Sequence, residues 1–328
     1  MDVFDGLPDA IIVDILNKVG DVRTLLRCSS LSKRFNSLVP QTESLILRLD
    51  QVGTTESQPG SPVGNILKSF HGLCSLFSKP AKPIPTANLS PNIPSKILSS
   101  FDRVKNLEVE LPGGDASLEK GAAVKWKAQH GETLETLVVF AFRSASTVSS
   151  SPASSDGESD AEFVTGLKTR VMWTISALMA ASTRHFLMSG VVKEHEELES
   201  LMVRDGGGEG TLVMGTEGLR AFRKMEAAQN RSVVPSVRMS MRHAPSLKLE
   251  SGICLESATL VIVRPSEGYS DVGDDELATE AFAGNCMYGE AVVALLKCRK
   301  NALEMNSFKL LLGLNNGSCG AFCVFPFC

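Results

Sequence analysis

At 328 residues and 43% hydrophobic composition, the chain is long enough for a sizeable core, in one large domain or two smaller ones. A net charge of -4 and a pI near 5.8 argue against nucleic acid as a partner, because a phosphate backbone demands clustered lysine and arginine. The start Met1-Asp2-Val3-Phe4-Asp5 is acidic, and no apolar run approaches the ~20 residues a membrane span needs, so the expectation is a soluble protein of the cytoplasm or nucleus with no membrane contact.

The first forty residues are the most informative. Pro8 suits a first helical turn, where its missing N–H has no partner to lose. Ile11, Ile12, Ile15, Leu16 and Val19 then recur at helical spacing, with Asp14, Asn17 and Lys18 between them and Gly20 as a stop. Asp21 can cap a second helix that puts Leu25 and Leu26 on one side and Arg23 and Arg27 on the other. A third helix is expected from Ser29 or Ser30, carrying Leu31, Phe35 and Leu38 at i, i+4 and i+7 and ending at Pro40. Helices this short cannot bury so many aliphatics on themselves. Some must face another protein or the rest of the chain.

In order and spacing, Leu7-Pro8-Asp9, the Ile/Leu helix, the Asp21 to Cys28 helix and Leu31-Ser32-Lys33-Arg34-Phe35 resemble the F-box, whose pattern is Leu-Pro, an Ile-Leu helix and Val-Ser-Lys-x-Trp. Leu31 stands where valine is usual and Phe35 where tryptophan is usual; both keep an apolar knob. The layout is also similar to the plant auxin-up-regulated F-box proteins, through the Asp2 to Asp9 start, the Pro-rich island, the strand Val104 to Pro112 and the ending Leu303 to Phe308. The resemblance implies a substrate receptor of an SCF-type ubiquitin ligase, and the likeness to the auxin-up-regulated proteins implies a place in a plant hormone response. Such a chain docks on a Skp-type adaptor and through it a cullin, holds a protein substrate of unknown identity, and performs no bond chemistry itself. It assigns Leu7, Pro8, Ile11, Ile12, Ile15 and Leu16 to the adaptor-facing first helix, and Leu25, Leu26, Leu31, Phe35 and Leu38 to the small core and the rest of the contact. Two other readings stay open: a helical subdomain packed only on its own protein, and a scaffold that binds the adaptor without directing degradation.

The expected fold is α+β: a three-helix F-box over 1–48, a Pro/Gly/Ser-rich linker with one short helix over 49–96, and an irregular leucine-rich-repeat-like α/β domain over 97–308. The linker's apolar island runs from Ile66 to Phe77. In the third segment Phe101 to Leu111, Glu132 to Phe140, Glu197 to Val203, Pro245 to Leu249 and Ala258 to Val263 alternate apolar with polar residues, as half-buried strands do. Helical stretches lie at Thr169 to Met188 and Glu276 to Lys300. Leucine-rich strands between helices point to a solenoid, although their spacing is uneven; a plain open α/β sheet is the alternative. Residues 144–162 have little to bury and read as a disordered acidic, Ser-rich insertion, in which Ser155 and Ser159 each precede a glutamate at +3 and resemble acidophilic kinase sites. Residues 309–328 read as an atypical tail, with the folded domain ending near Phe308.

Catalytic patterns are missing from the text. Asp205 to Gly210 is glycine-rich after a strand, yet no Gly-Lys-Ser/Thr follows, so a turn or hairpin is expected. His195-Glu196-Glu197 lacks the second histidine of a metalloprotease helix. There is no Gly-x-Ser-x-Gly elbow, His71, His130, His185, His195 and His243 are dispersed, and the eight cysteines form no Cys-x-x-Cys pair. The expectation is a non-catalytic chain without cofactor or metal.

Overall fold

A computed structural model describes residues 4, 6–49, 92–112, 122–147, 160–227, 236–266, 273–284, 286–298, 302–315 and 318–324. The linker island at Ile66 to Phe77 and the serines Ser155 and Ser159 lie outside the described residues.

Helix α1 (Asp9–Val19) follows Pro8 and ends at Gly20, whose φ of 60° suits glycine. Pro8 has an extended backbone and stands just outside the helix, with its carbonyl accepting from the N–H groups of Ile11 and Ile12. This moves it out of the first turn expected from the sequence. Helix α2 (Val22–Ser29) is capped by Asp21, whose carboxylate accepts from the Thr24 N–H at 2.9 Å and hydroxyl at 2.6 Å. The same hydroxyl is the main reason the Asp21 carboxyl titrates below the usual range. The Ser29 hydroxyl donates back to the Leu26 carbonyl, so Ser29 closes α2 instead of opening the next helix. Helix α3 (Lys33–Leu38) begins later, capped by Ser32. Leu31 therefore sits in the connection between helices, away from the buried Phe35 and Leu38 with which it was expected to share a face.

One mixed sheet organises the rest. Its strands are β1 (Ser44–Arg48), β2 (Asn106–Leu111), β3 (Ala123–His130), β4 (Leu134–Phe142), β5 (Ser144–Thr147), β6 (Ser200–Asp205), β7 (Gly210–Met214), β8 (Ser236–Lys248), β9 (Ile253–Pro265), β10 (Ala302–Asn315) and β11 (Ser318–Val324). They lie in the order β1-β2-β6-β7-β3-β4-β9-β8-β10-β11, with β5 pairing β9. The other helices are α4 (Asn92–Leu98), α5 (Asp160–Leu187), α6 (Ser189–Glu194), α7 (Thr216–Ala227), α8 (Asp274–Ala281) and α9 (Cys286–Lys297). The fold is a mixed α+β arrangement.

Strand alternation decides what lies beneath each face. On one face Leu45, Leu107, Leu201, Trp126 and Val139 share a core with Ile12, Leu16, Leu25 and Phe35 of the N-terminal helices and with Ala177 and Leu178 of α5. On the other, Phe140, Phe142, Leu260 and Ile262 pack against Ala278 of α8, Phe282 just after it, and Val292 and Leu295 of α9.

The strands β1, β2 and β6 pair in parallel and in register, so that Leu45, Leu107 and Leu201 form one row and Leu47, Val109 and Val203 the next. The repetition stops at β6. The Asp205 to Gly210 segment turns the chain back into antiparallel β7, with the Gly208 N–H donating to the Asp205 carbonyl at 2.8 Å and Gly208 at φ 67°. The strands at Leu137 and Leu260, read as further repeats, are antiparallel neighbours in β4 and β9.

Three boundaries need correction. Ser44 to Arg48 belongs to the sheet, not only to an N-terminal helical unit ending at 48. The insertion expected over 144–162 is ordered at both ends: Ser144 to Thr147 pairs with β9, and α5 starts at Asp160. The strand pattern also runs past Phe308, since β10 continues to Asn315 and β11 returns along it.

A histidine pair, with His130 buried and His185 half-buried, packs beside the first core. His130 of β3 and His185 of α5 have ring centroids 4.6 Å apart, with the Phe222 ring edge-on to His185 at 4.9 Å. His185 Nε2 meets the Gly131 carbonyl at 3.2 Å, while both His130 ring nitrogens are buried without a hydrogen bond. Burial holds the His185 pKa down to about 4, and burial together with the neighbouring His185 charge holds that of His130 well below its ordinary value. In the unfolded chain both accept a proton near pH ~6.5, so they favour folding above that pH and lose this contribution as pH falls from there toward about 4. The thermal midpoint should be flat near pH 7 and decline through that window, and His130→Leu should flatten the decline. The Asp21 carboxylate, held low, acts only at lower pH.

Candidate functional site

The eleven residues assigned to adaptor docking separate by depth. Ile12, Leu16, Leu25, Phe35 and Leu38 are buried and form the support. Leu7 and Leu26 are half-buried against the same core. Pro8, Ile11, Ile15 and Leu31 face outward. Ile11, Ile15 and Val19 stand at i, i+4 and i+8 on the outer side of α1 and are 46%, 38% and 39% exposed, and Leu31 is 72% exposed. Among the described residues the other large exposed hydrophobics are Phe4, Met202 and Val293, so the apolar exposure is concentrated at the N-terminal helices. Val19 and Phe4 were not among the expected site residues. Val19 follows Ile15 at the same helical spacing and was legible; Phe4 acquires its place only by stacking edge-on against Phe35, with centroids 5.3 Å apart.

The stripe is fixed rigidly to the sheet. Asn17 Oδ1 accepts from the N–H groups of Glu43 at 2.7 Å and Ser44 at 3.3 Å, and the Gly20 carbonyl accepts from the Ile46 N–H at 2.8 Å. Arg48 then bridges Asp21 at 3.1 Å and Glu110 at 3.2 Å. Asn17→Ala leaves two donors at the start of β1 without their acceptor and should cost about 1–3 kcal/mol in urea unfolding.

A second surface lies at the β1 to β3 end of the sheet, on the face opposite the N-terminal helices and α5. Register places Ile46, Glu108, Met202, Val213 and Gln129 in one row and Arg48, Glu110, Arg204, Thr211 and Lys127 in the next. Arg204 pairs with Glu108, and Arg48 with Glu110, so opposite charges cross the strands. Met202 and Arg48 remain exposed. Among the described residues there is no group of three or more His, Cys, Asp or Glu able to hold a metal, and no helix long and apolar enough to cross a membrane.

The chain is 72% identical over 320 residues to the F-box protein AUF2 of Arabidopsis thaliana, covering 94% of this chain and 100% of that protein. It is 59% identical over 335 residues to the F-box protein AUF1 of the same plant, again over 94% of this chain and 100% of the relative. A third Arabidopsis relative, F-box protein At4g18380, is 35% identical over 362 residues and 94% of both chains. No family model and no solved structure matches. With this identity over almost the whole length, the chain belongs to the F-box proteins and, within them, to the auxin-up-regulated F-box proteins of plants.

Proposed function

We propose that this chain is the non-catalytic substrate receptor of an SCF-type ubiquitin ligase, docking on a Skp-type adaptor, and through it a cullin, in the cytoplasm or nucleus. The observation that carries the reading is the exposed stripe Ile11, Ile15 and Val19 on a helix whose inner face is locked into the core. Burying such side chains against a partner contributes roughly 1.5–3 kcal/mol each, enough for a stable contact. The open sheet face, with its ion-paired rows around Met202, is where a protein substrate would be held. The parallel ladder β1-β2-β6 resembles a short leucine-rich repeat, with the antiparallel strands as a separate elaboration. Kinship with auxin-up-regulated proteins supports a place in a plant hormone response. The receptor raises the local concentration of substrate lysines near the conjugating enzyme, which is catalysis by proximity.

A pull-down of the full chain with purified Skp-type adaptor and cullin tests this, using wild type beside Leu7→Ala/Pro8→Ala. Wild-type capture with a weakened double variant is the expected result. Capture without cullin-dependent ubiquitin transfer to any bound protein would leave a scaffold in place of a receptor.

A further inference from the structure

We propose that Arg34 is a positioning residue for adaptor docking: it fixes the stretch from Phe4 to Asp9 against α3 before any partner arrives. The inference rests on the docking reading above and adds a residue to which that reading gave no role.

The guanidinium of Arg34 reaches three acceptors on one short segment. Its Nε donates to Asp9 Oδ1 at 2.8 Å, one terminal nitrogen donates to the Phe4 carbonyl at 2.8 Å, and the other donates to the Leu7 carbonyl and pairs with Asp9 at 2.7 Å. The Leu7 N–H also donates to the Phe4 carbonyl at 3.2 Å, so that carbonyl accepts from both Leu7 and Arg34. The next residue along α3, Phe35, takes the ring of Phe4. One helix position thus holds the backbone of the segment and its neighbour holds the side chain.

Arginine suits this task because its planar fork carries five donors in fixed directions, whereas lysine offers a single flexible point charge. The Arg34 side chain is 35% exposed, so its contribution to global stability is small. Its effect is local. A segment ahead of a first helix frays unless something ties it down, and ordering it in advance removes part of the entropy cost of binding. Pro8 and Leu7 lie within this segment, beside Ile11, so their presentation depends on Arg34. Helix α3 does not depend on it, since Ser32 caps that helix independently.

The test uses the full chain and purified Skp-type adaptor, with affinity, thermal midpoint and amide exchange over the first nine residues measured together. Arg34→Ala should weaken affinity about five- to twentyfold, speed exchange at Gly6 and Leu7, and leave the thermal midpoint close to wild type. Arg34→Lys should recover less than half of the loss. In a Leu7→Ala background the further effect of Arg34→Ala should fall below about twofold, because both changes act on one element. Wild-type affinity in Arg34→Ala, full recovery in Arg34→Lys, or additive losses with Leu7→Ala would each overturn the proposal while leaving the docking reading intact. A wild-type chain that does not bind the adaptor overturns both.

Discussion

A chain carrying Ile11→Glu and Ile15→Glu should lose adaptor capture by a factor of about 10²–10⁴ while keeping a thermal midpoint close to wild type. The binding loss follows from removing two buried aliphatic contacts at roughly 1.5–3 kcal/mol each, before the added cost of desolvating two carboxylates. The folding cost is small because both positions face outward on α1 and glutamate is a good helix former. Ile12 and Leu16, one position further round the helix, are fully or nearly buried and continue to hold α1 to the sheet. Titration of the variant against purified adaptor, beside a thermal melt, checks both halves. Undiminished binding would move the docking surface off the outer face of α1, leaving Leu31 and the Phe4 to Pro8 segment to carry it.

This division of α1 shows how much of the site was legible in the sequence. Helical spacing placed Ile11, Ile12, Ile15 and Leu16 on one helix, but a run of paired aliphatics does not say which half turns inward. That was settled by β1, whose Glu43-Ser44 start hydrogen-bonds Asn17 and brings Leu45 and Leu47 into the core with Ile12 and Leu16. Strand β1 was missed because its partner β2 lies far along the chain and five residues after a helix carry little pattern of their own. Helix α7 escaped for a similar reason. Its Arg223 guanidinium donates to the carbonyls of Val192, His195 and Leu198, contacts that no local periodicity announces. The strands β2 and β6 are readable because their alternation is clean and local, and β9 because Ala258 to Val263 is a short β-branched run buried on both faces. The leucine spacing that suggests a longer solenoid is shared by strands that run antiparallel, since alternation reports a buried face and says nothing about direction.

Asp205→Ala should produce the opposite phenotype, a loss of about 3–5 kcal/mol of folding stability with every docking side chain still present. Asp205 closes β6 and is nearly buried, and it pairs there with Arg184 of α5, whose guanidinium lies 4.7 Å over the Trp126 ring of β3. Three elements thus converge on one charge. Arg184 Nε is already buried without a hydrogen bond, so removing the carboxylate strands the guanidinium in the core with little left beyond the tryptophan face. A deficit of that size is a large fraction of the roughly 5–15 kcal/mol that holds a folded domain together. The double variant Arg184→Met/Asp205→Leu should recover most of it, because an apolar pair of similar volume needs no desolvated partner. Urea unfolding of both variants checks the cycle; Asp205→Ala within about 1 kcal/mol of wild type would show that the pair is solvated and does not tie α5 to the sheet. Because Ile11 and Ile15 stand on α1 and the Arg184 pair lies between α5 and β6, the two sets of substitutions separate a receptor that cannot dock from one that cannot stay folded.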